Sequence, residues 1–216
     1  MTAFKEKYQS ISIDLKDVRL QGNLVIPENN LGIIIFSHGS GSSRNSPRNK
    51  YVGSILQQHG LATLLFDLLT EEEDQVYERR FDIDLLTKRL IEVTRWIQTD
   101  PRTKDLKIGY FGASTGAASA LRAAGVLGDK LSAVVSRGGR PDLAMQELHK
   151  VKAPTLFLVG GWDDFVIDLN KLAYSKLECE RELIIVPEAS HLFEEPGKLE
   201  KVAHLSAKWF IKWFTT

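Results

Sequence analysis

The stretch from Lys107 to Leu121 constrains this chain more than any other: an apolar run through Tyr110-Phe111, then Gly112-Ala113-Ser114-Thr115-Gly116, then alanine-rich sequence. It reads as strand, sharp turn, helix. In that order a G-x-S-x-G motif pushes one serine into a strained, exposed position above a sheet. Gly112 and Gly116 lie two residues either side of Ser114, where any Cβ would crowd the turn. The following helix aims its free N–H groups and positive dipole end at the same place, where negative charge on a reacting oxygen would develop.

Alone the motif is weak. With glycine near 7% of average usage, it arises by chance in about one chain of this length in ten to fifteen. The flanking elements and the order of further residues must therefore carry the argument. The 216 residues fit one α/β domain with room for a substantial core. Lysine plus arginine number 28 against 28 acidic residues. A formal charge of zero gives no field that would favour nucleic acid or an anionic membrane, so a small-molecule substrate is expected. Cys179 is the single cysteine; it excludes an internal disulfide or a cysteine-based zinc cluster and fits a reducing, cytoplasmic compartment. Met1 to Lys7 lacks the apolar core of a secretion leader, and no run of about 18 apolar residues could span a bilayer. No metal or other cofactor is expected.

Residues 9–15 and 18–26 alternate apolar and polar side chains, which predicts two antiparallel strands. Gly32 to Phe36 is a continuous apolar run, as in a strand buried on both faces of a parallel sheet. Ser46 and Pro47 then start a helix with Tyr51, Val52, Ile55, Leu56 and His59 on one face, ending at Gly60. Leu61 to Leu68 is the next buried strand. Thr70 to Arg80, with the acidic run Glu71 to Asp74, reads as a solvated loop, and residues 83–97 as an amphipathic helix closing before Pro101.

After the elbow and its helix come a strand at 131–135, a brief helix to about Val151, a strand at 154–159, a helix at 167–177 and a strand at 182–186. A last helix carries Val202, Leu205, Trp209, Phe210, Trp213 and Phe214 on one face. Strands alternating with helices imply a mainly parallel sheet with right-handed crossovers and helices on both faces. No long insertion follows Val135, so no large lid domain is expected and the site should favour short acyl groups.

A serine hydroxyl is a poor nucleophile at neutral pH and needs a base oriented by a third group. His191 follows the last strand through Pro187-Glu188-Ala189-Ser190, on a loop at the carboxyl edge where open α/β sheets bind ligands. His59, His149 and His204 fall at helix ends or within a helix, and His38 precedes a glycine-rich loop; structural roles are expected for these four. Three aspartates compete for the orienting role by chain position: Asp142, Asp163 and Asp164, of which Asp163 is preferred. The order Ser114, Asp163, His191 is the one found in α/β-hydrolases. Backbone N–H groups of Thr115 and Ser40 should form the oxyanion hole. Arg137 and Arg140 flank two glycines at the same edge, and they read either as contacts for a substrate anion or as a solvated loop with a capping arginine.

Ser37-His38-Gly39-Ser40-Gly41, Gly112 to Gly116, Gly161-Trp162-Asp163-Asp164-Phe165-Val166 and Ser190-His191-Leu192-Phe193 together resemble the dienelactone hydrolase family of α/β-hydrolases. The similarity extends over nearly the whole chain. It implies the α/β-hydrolase fold and a hydrolytic mechanism with Ser114, Asp163 and His191 at the matching positions. Dienelactone hydrolase proper has a cysteine nucleophile where this chain has serine, so the substrate is not carried over. The expected activity is cleavage of a small ester, lactone or thioester through an acyl-enzyme. The rival reading is a non-catalytic binding or regulatory protein on the same fold.

Overall fold

In a computed structural model, residues 9–216 are described; the amino-terminal segment read above as lacking a leader lies outside them. Eight strands form one sheet: β1 (Gln9–Asp14), β2 (Arg19–Val25), β3 (Ile33–Ser37), β4 (Ala62–Phe66), β5 (Ile108–Ala113), β6 (Ala133–Arg137), β7 (Thr155–Gly160) and β8 (Arg181–Val186). Their spatial order is β1-β2-β4-β3-β5-β6-β7-β8. The first hairpin and the β2–β4 pair are antiparallel, and every other neighbour is parallel. The residues of β3, β4, β5, β6 and β7 are buried throughout, which is why they read as continuous apolar runs, whereas β1 and β2 alternate.

Among the described residues there are six α-helices, α1 (Pro47–Gln58), α2 (Glu71–Asp74), α3 (Ile83–Ile97), α4 (Thr115–Leu127), α5 (Asp164–Lys176) and α6 (Lys198–Thr215), and all but the short α2, which buries no residue, cover the sheet. One core joins α3, α4 and α5 to the sheet through side chains such as Leu90, Leu121, Tyr110 and Phe157. The other packs α1 and α6 against the opposite face through Val52, Phe36, Phe111 and Phe210. Gly109 permits the second contact, since a Cβ there would lie 2.8 Å from the Phe210 ring. Between them, the two cores bury the sheet on both sides, so binding chemistry is confined to the edge where the parallel strands end.

Three expectations change in detail. The acidic run is not a bare loop: Thr70 and Glu73 form a reciprocal capping box, Thr70 N–H to Glu73 Oε2 at 3.0 Å and Glu73 N–H to Thr70 Oγ1 at 3.1 Å. Glu73 also accepts from Arg89 Nη2 at 3.0 Å. The T-x-x-E spacing that specifies this was present in the sequence. The brief helix before Val151 is two separate 3-10 turns, Pro141–Ala144 and Leu148–Lys150. Tyr51 is exposed, and Asn49, Gly53 and Gln57 join the buried side of α1 instead.

Candidate active site

The elbow is built as its glycines require. A Cβ on Gly112 would lie 2.5 Å from the Ala117 Cα, and one on Gly116 would lie 2.1 Å from the Ser37 carbonyl oxygen. Only residues without side chains let β5, β3 and α4 come this close. Ser114 sits between them at φ 51° and ψ −123°, a conformation that costs a non-glycine residue about 1–3 kcal/mol and persists because its surroundings fix it. Its N–H donates to the Arg137 carbonyl at 3.2 Å, and its own carbonyl accepts from the N–H groups of Ala117 at 3.0 Å and Arg140 at 3.1 Å. The side chain makes no cap to the helix it precedes and is partly exposed.

Loops after β7 and β8 are laced together by their backbones. The N–H of Gly161 donates to the Val186 carbonyl at 2.8 Å and that of Trp162 to the Ala189 carbonyl at 3.0 Å. Gly160 allows it, because a Cβ there would lie 2.4 Å from the Ala189 oxygen. The lacing brings His191 Nδ1 to 2.6 Å from Asp163 Oδ2. Asp163 occupies the N-cap position of α5, yet its carboxylate makes no cap hydrogen bond and is directed to the imidazole instead. An ionised carboxylate can only accept, so Nδ1 carries the proton, and in the neutral tautomer that this bond selects the lone pair is on Nε2. Asp164 is exposed, and Asp142 is held by Arg140 in a two-point pair, Nε to Oδ1 at 2.9 Å and Nη2 to Oδ2 at 2.8 Å.

Gly138 links the imidazole to the elbow. It follows Arg137, whose carbonyl holds Ser114, and a Cβ added to it would meet His191 Cε1 at 3.4 Å. On the opposite side, Gly39 lies against Ser114, its virtual Cβ 3.1 Å from the serine Cβ. The Ser40 N–H then reaches across to donate to Thr115 Oγ1 at 2.9 Å. Thr115 is the first residue of α4, whose N–H has no acceptor within the helix. The two groups expected to hold an oxyanion are therefore neighbours, with one donating to the side chain of the other.

Arg137 and Arg140 behave differently. Arg140 is neutralised by Asp142. Arg137 is 6% exposed, with Nε and Nη1 buried and lacking any hydrogen-bond partner. Burial pulls its pKa down to about 10, and the nearby Arg48 charge adds to the effect.

His38 also has a place that the sequence left as merely structural. It is buried, its Nε2 accepts the Leu68 N–H at 3.1 Å, and Nδ1 lies 3.0 Å from the Gly39 carbonyl. A carbonyl only accepts, so Nδ1 bears the proton and the ring is neutral. Burial depresses its pKa against smaller opposing effects of the Gly39 carbonyl, Asp67 and Asp74. Beside it opens a cleft of about 520 Å³ lined by residues including Ser42, Arg44, Asp67 and Thr70. Arg44 forms an ion pair with Asp67, and its N–H donates to Asp67 Oδ1 at 2.7 Å. Ser114, Asp163 and His191 do not line this cleft. Asp67 was not singled out in the sequence, where it falls inside the strand read as Leu61 to Leu68; β4 ends at Phe66 and leaves Asp67 just beyond the carboxyl edge. Among the described residues no three His, Cys, Asp or Glu side chains gather as metal ligands, and no helix is long and apolar enough to cross a membrane.

Comparison with known proteins bears on this geometry. The sequence model of the dienelactone hydrolase family matches residues 20–216. The structure of a dienelactone hydrolase from Anabaena variabilis superposes with a TM-score of 0.94 at 53% identity, covering 96% of this chain and 98% of that one. Est1E from Butyrivibrio proteoclasticus superposes with a TM-score of 0.82 over 96% of this chain and 99% of its own; at 15% identity it shows shared fold only. A Mycobacterium tuberculosis protein named "Putative phosphoribosyl transferase" is 52% identical over 203 residues, 94% of this chain. The match spans only 46% of that protein's length.

Proposed function

We propose that this chain, which belongs to the dienelactone hydrolase family, is a serine-type hydrolase that cleaves a small carboxylic ester, lactone or thioester through an acyl-enzyme. The observation that carries the reading is the 2.6 Å contact between His191 Nδ1 and Asp163, on a loop that packs against the turn holding Ser114. Ser114 Oγ attacks the carbonyl carbon and its proton passes to His191 Nε2, while Asp163 stabilises the imidazolium. The tetrahedral oxyanion is received by the N–H groups of Thr115 and Ser40. Collapse expels the alcohol or thiol, which takes the proton from His191, and water repeats the sequence on the acyl-enzyme. The substrate is a small molecule and no nucleic acid, membrane or cofactor takes part. The balanced charge and lone cysteine favour a cytoplasmic setting.

The phosphoribosyl transferase name belongs to a protein about twice as long. In this chain, a strained serine and an Asp-paired histidine support acyl transfer instead. A non-catalytic protein on this fold would have no use for that strain. The test is labelling with a fluorophosphonate: the wild type should be modified at Ser114, and Ser114→Ala should lose labelling and about 10⁴- to 10⁶-fold of its ester turnover. Equal labelling of the Ala variant would show that Ser114 is not the nucleophile, and a wild type that takes no label would return the binding-protein reading.

A further inference from the structure

Asn170 lies on α5, two helical turns after Asp163, and it is fully buried. Its Nδ2 donates twice, to the Gly139 carbonyl at 3.0 Å and to the Val166 carbonyl one turn back on its own helix at 2.7 Å. Oδ1 has no hydrogen-bond partner, so the amide serves here as a donor only. The Gly139 carbonyl belongs to the same peptide unit as the Arg140 N–H, which donates to the Ser114 carbonyl at 3.1 Å. In a planar trans peptide the C=O and N–H point in opposite directions. One rigid unit therefore runs from Asn170 on one side to Ser114 on the other. It is seated closely, since a Cβ on Gly139 would lie 2.0 Å from Ser136 Oγ and 2.7 Å from Ala117 Cβ.

A serine at φ 51° keeps that conformation only while its surroundings over-determine it. Its carbonyl has two donors, and the Ala117 N–H comes from the elbow's own helix. The Arg140 N–H is the one that reaches in from another segment, and the Nδ2 bond at the far end of its peptide polarises it further. The helix that carries Asn170 also begins at Asp163, whose carboxylate orients His191. We infer that Asn170 is a positioning residue for the reaction: it locks the helix behind the orienting acid to the peptide that holds the nucleophile's backbone. It acts through Ser114. The inference rests on the hydrolase reading above.

Two variants test it. Asn170→Leu keeps the volume and removes both donors, whereas Asn170→Asp keeps the shape and donates only while protonated. On p-nitrophenyl acetate the Leu variant should lose about 10- to 100-fold in kcat, the range for a misplacement of about 1 Å, with KM within about twofold. Its kcat relative to wild type should be the same at every pH. Burial against two carbonyls raises a carboxyl pKa, so in Asn170→Asp the acid donates below that pKa and repels both carbonyls above it. Relative to wild type, its kcat should therefore fall by about tenfold or more between about pH 6 and pH 8.5, with melts showing it folded throughout. Amide hydrogen exchange reads the tie apart from activity: the Arg140 N–H should exchange about tenfold or more faster in the Leu variant, while the last turn of α5 keeps wild-type protection. Wild-type kcat in the Leu variant, a loss confined to KM, unchanged Arg140 exchange, or a flat ratio of the Asp variant to wild type would each overturn the inference. Should the Leu variant alone fail to fold, the Asp variant decides; failure of both would make Asn170 a structural tie and overturn it as well. A wild type that takes no fluorophosphonate label and cleaves no ester defeats the hydrolase reading instead, and Arg140 exchange then still decides whether Asn170 holds the Ser114 peptide.

Discussion

The Ser40 N–H donates to Thr115 Oγ1 at 2.9 Å, across 75 residues of sequence. This bond fixes the loop after β3 against the elbow and keeps the Ser40 N–H satisfied until substrate arrives. When an oxyanion forms, the N–H is shared between it and the Thr115 hydroxyl, so the tie to the elbow is kept while the charged acceptor takes the stronger share.

Thr115→Val removes the acceptor while keeping the shape and the Thr115 backbone N–H. The loop stays anchored by His38 and by the packing of Gly39 on Ser114, so the loss is partial. One neutral hydrogen bond is worth about 1 kcal/mol, which corresponds to a fall in kcat of about fivefold with KM little changed. Thr115→Ser, which restores the hydroxyl, should stay within about twofold of wild type. A Val variant as fast as wild type on a neutral ester would show that the loop needs no such tie.

Asp163→Asn keeps the volume but replaces an acceptor that fixes the imidazole with an amide that can donate to it. His191 would then present its proton to Ser114 rather than its lone pair. Turnover should fall by about 10⁴-fold with the fold intact. Asp164→Asn, at an exposed position, and Asp142→Asn, whose partner is Arg140, should each remain within about tenfold. An active Asp163→Asn enzyme beside an inactive Asp142 or Asp164 variant would move the orienting role to that position.

What was legible in the sequence follows from which signals are local. The elbow was visible because close approach leaves no alternative to glycine at positions 112 and 116, and the buried strands because a parallel sheet needs uninterrupted apolar runs. The pairing of Asp163 with His191 could only be ranked by chain order. It depends on backbone bonds between two loops, Trp162 to Ala189 and Gly161 to Val186, that no single segment encodes. Arg137 and Arg140 look alike in sequence, two cations around two glycines. Three-dimensional partners separate them, one to Asp142 and one to no protein acceptor. The order of Thr70 to Arg80 was present as a capping box but was outweighed by four consecutive acidic residues.

His38 gives the last prediction, a loss of stability in mild acid. The ring is buried and neutral, accepting the Leu68 N–H at Nε2. Burial holds its pKa below the ordinary 6.5, and the carboxylates of Asp67 and Asp74 oppose this more weakly. The unfolded chain therefore takes up a proton near pH 6.5 that the folded chain refuses. Above that pH the imidazole is neutral in both states and contributes no pH dependence. As pH falls below it, folding stability declines by up to about 1.4 kcal/mol per pH unit until the depressed folded pKa is reached. His38→Gln leaves an amide oxygen to accept from Leu68 but has nothing to titrate. The Gln variant should be somewhat less stable at about pH 7.5, because its geometry is looser, yet its Tm should fall less steeply than the wild type's between about pH 6.5 and pH 5. Thermal melts of both proteins across that window are the measurement. Parallel Tm curves would mean that the acid sensitivity arises elsewhere, and that His38 is protonated in the folded chain as readily as in the unfolded one.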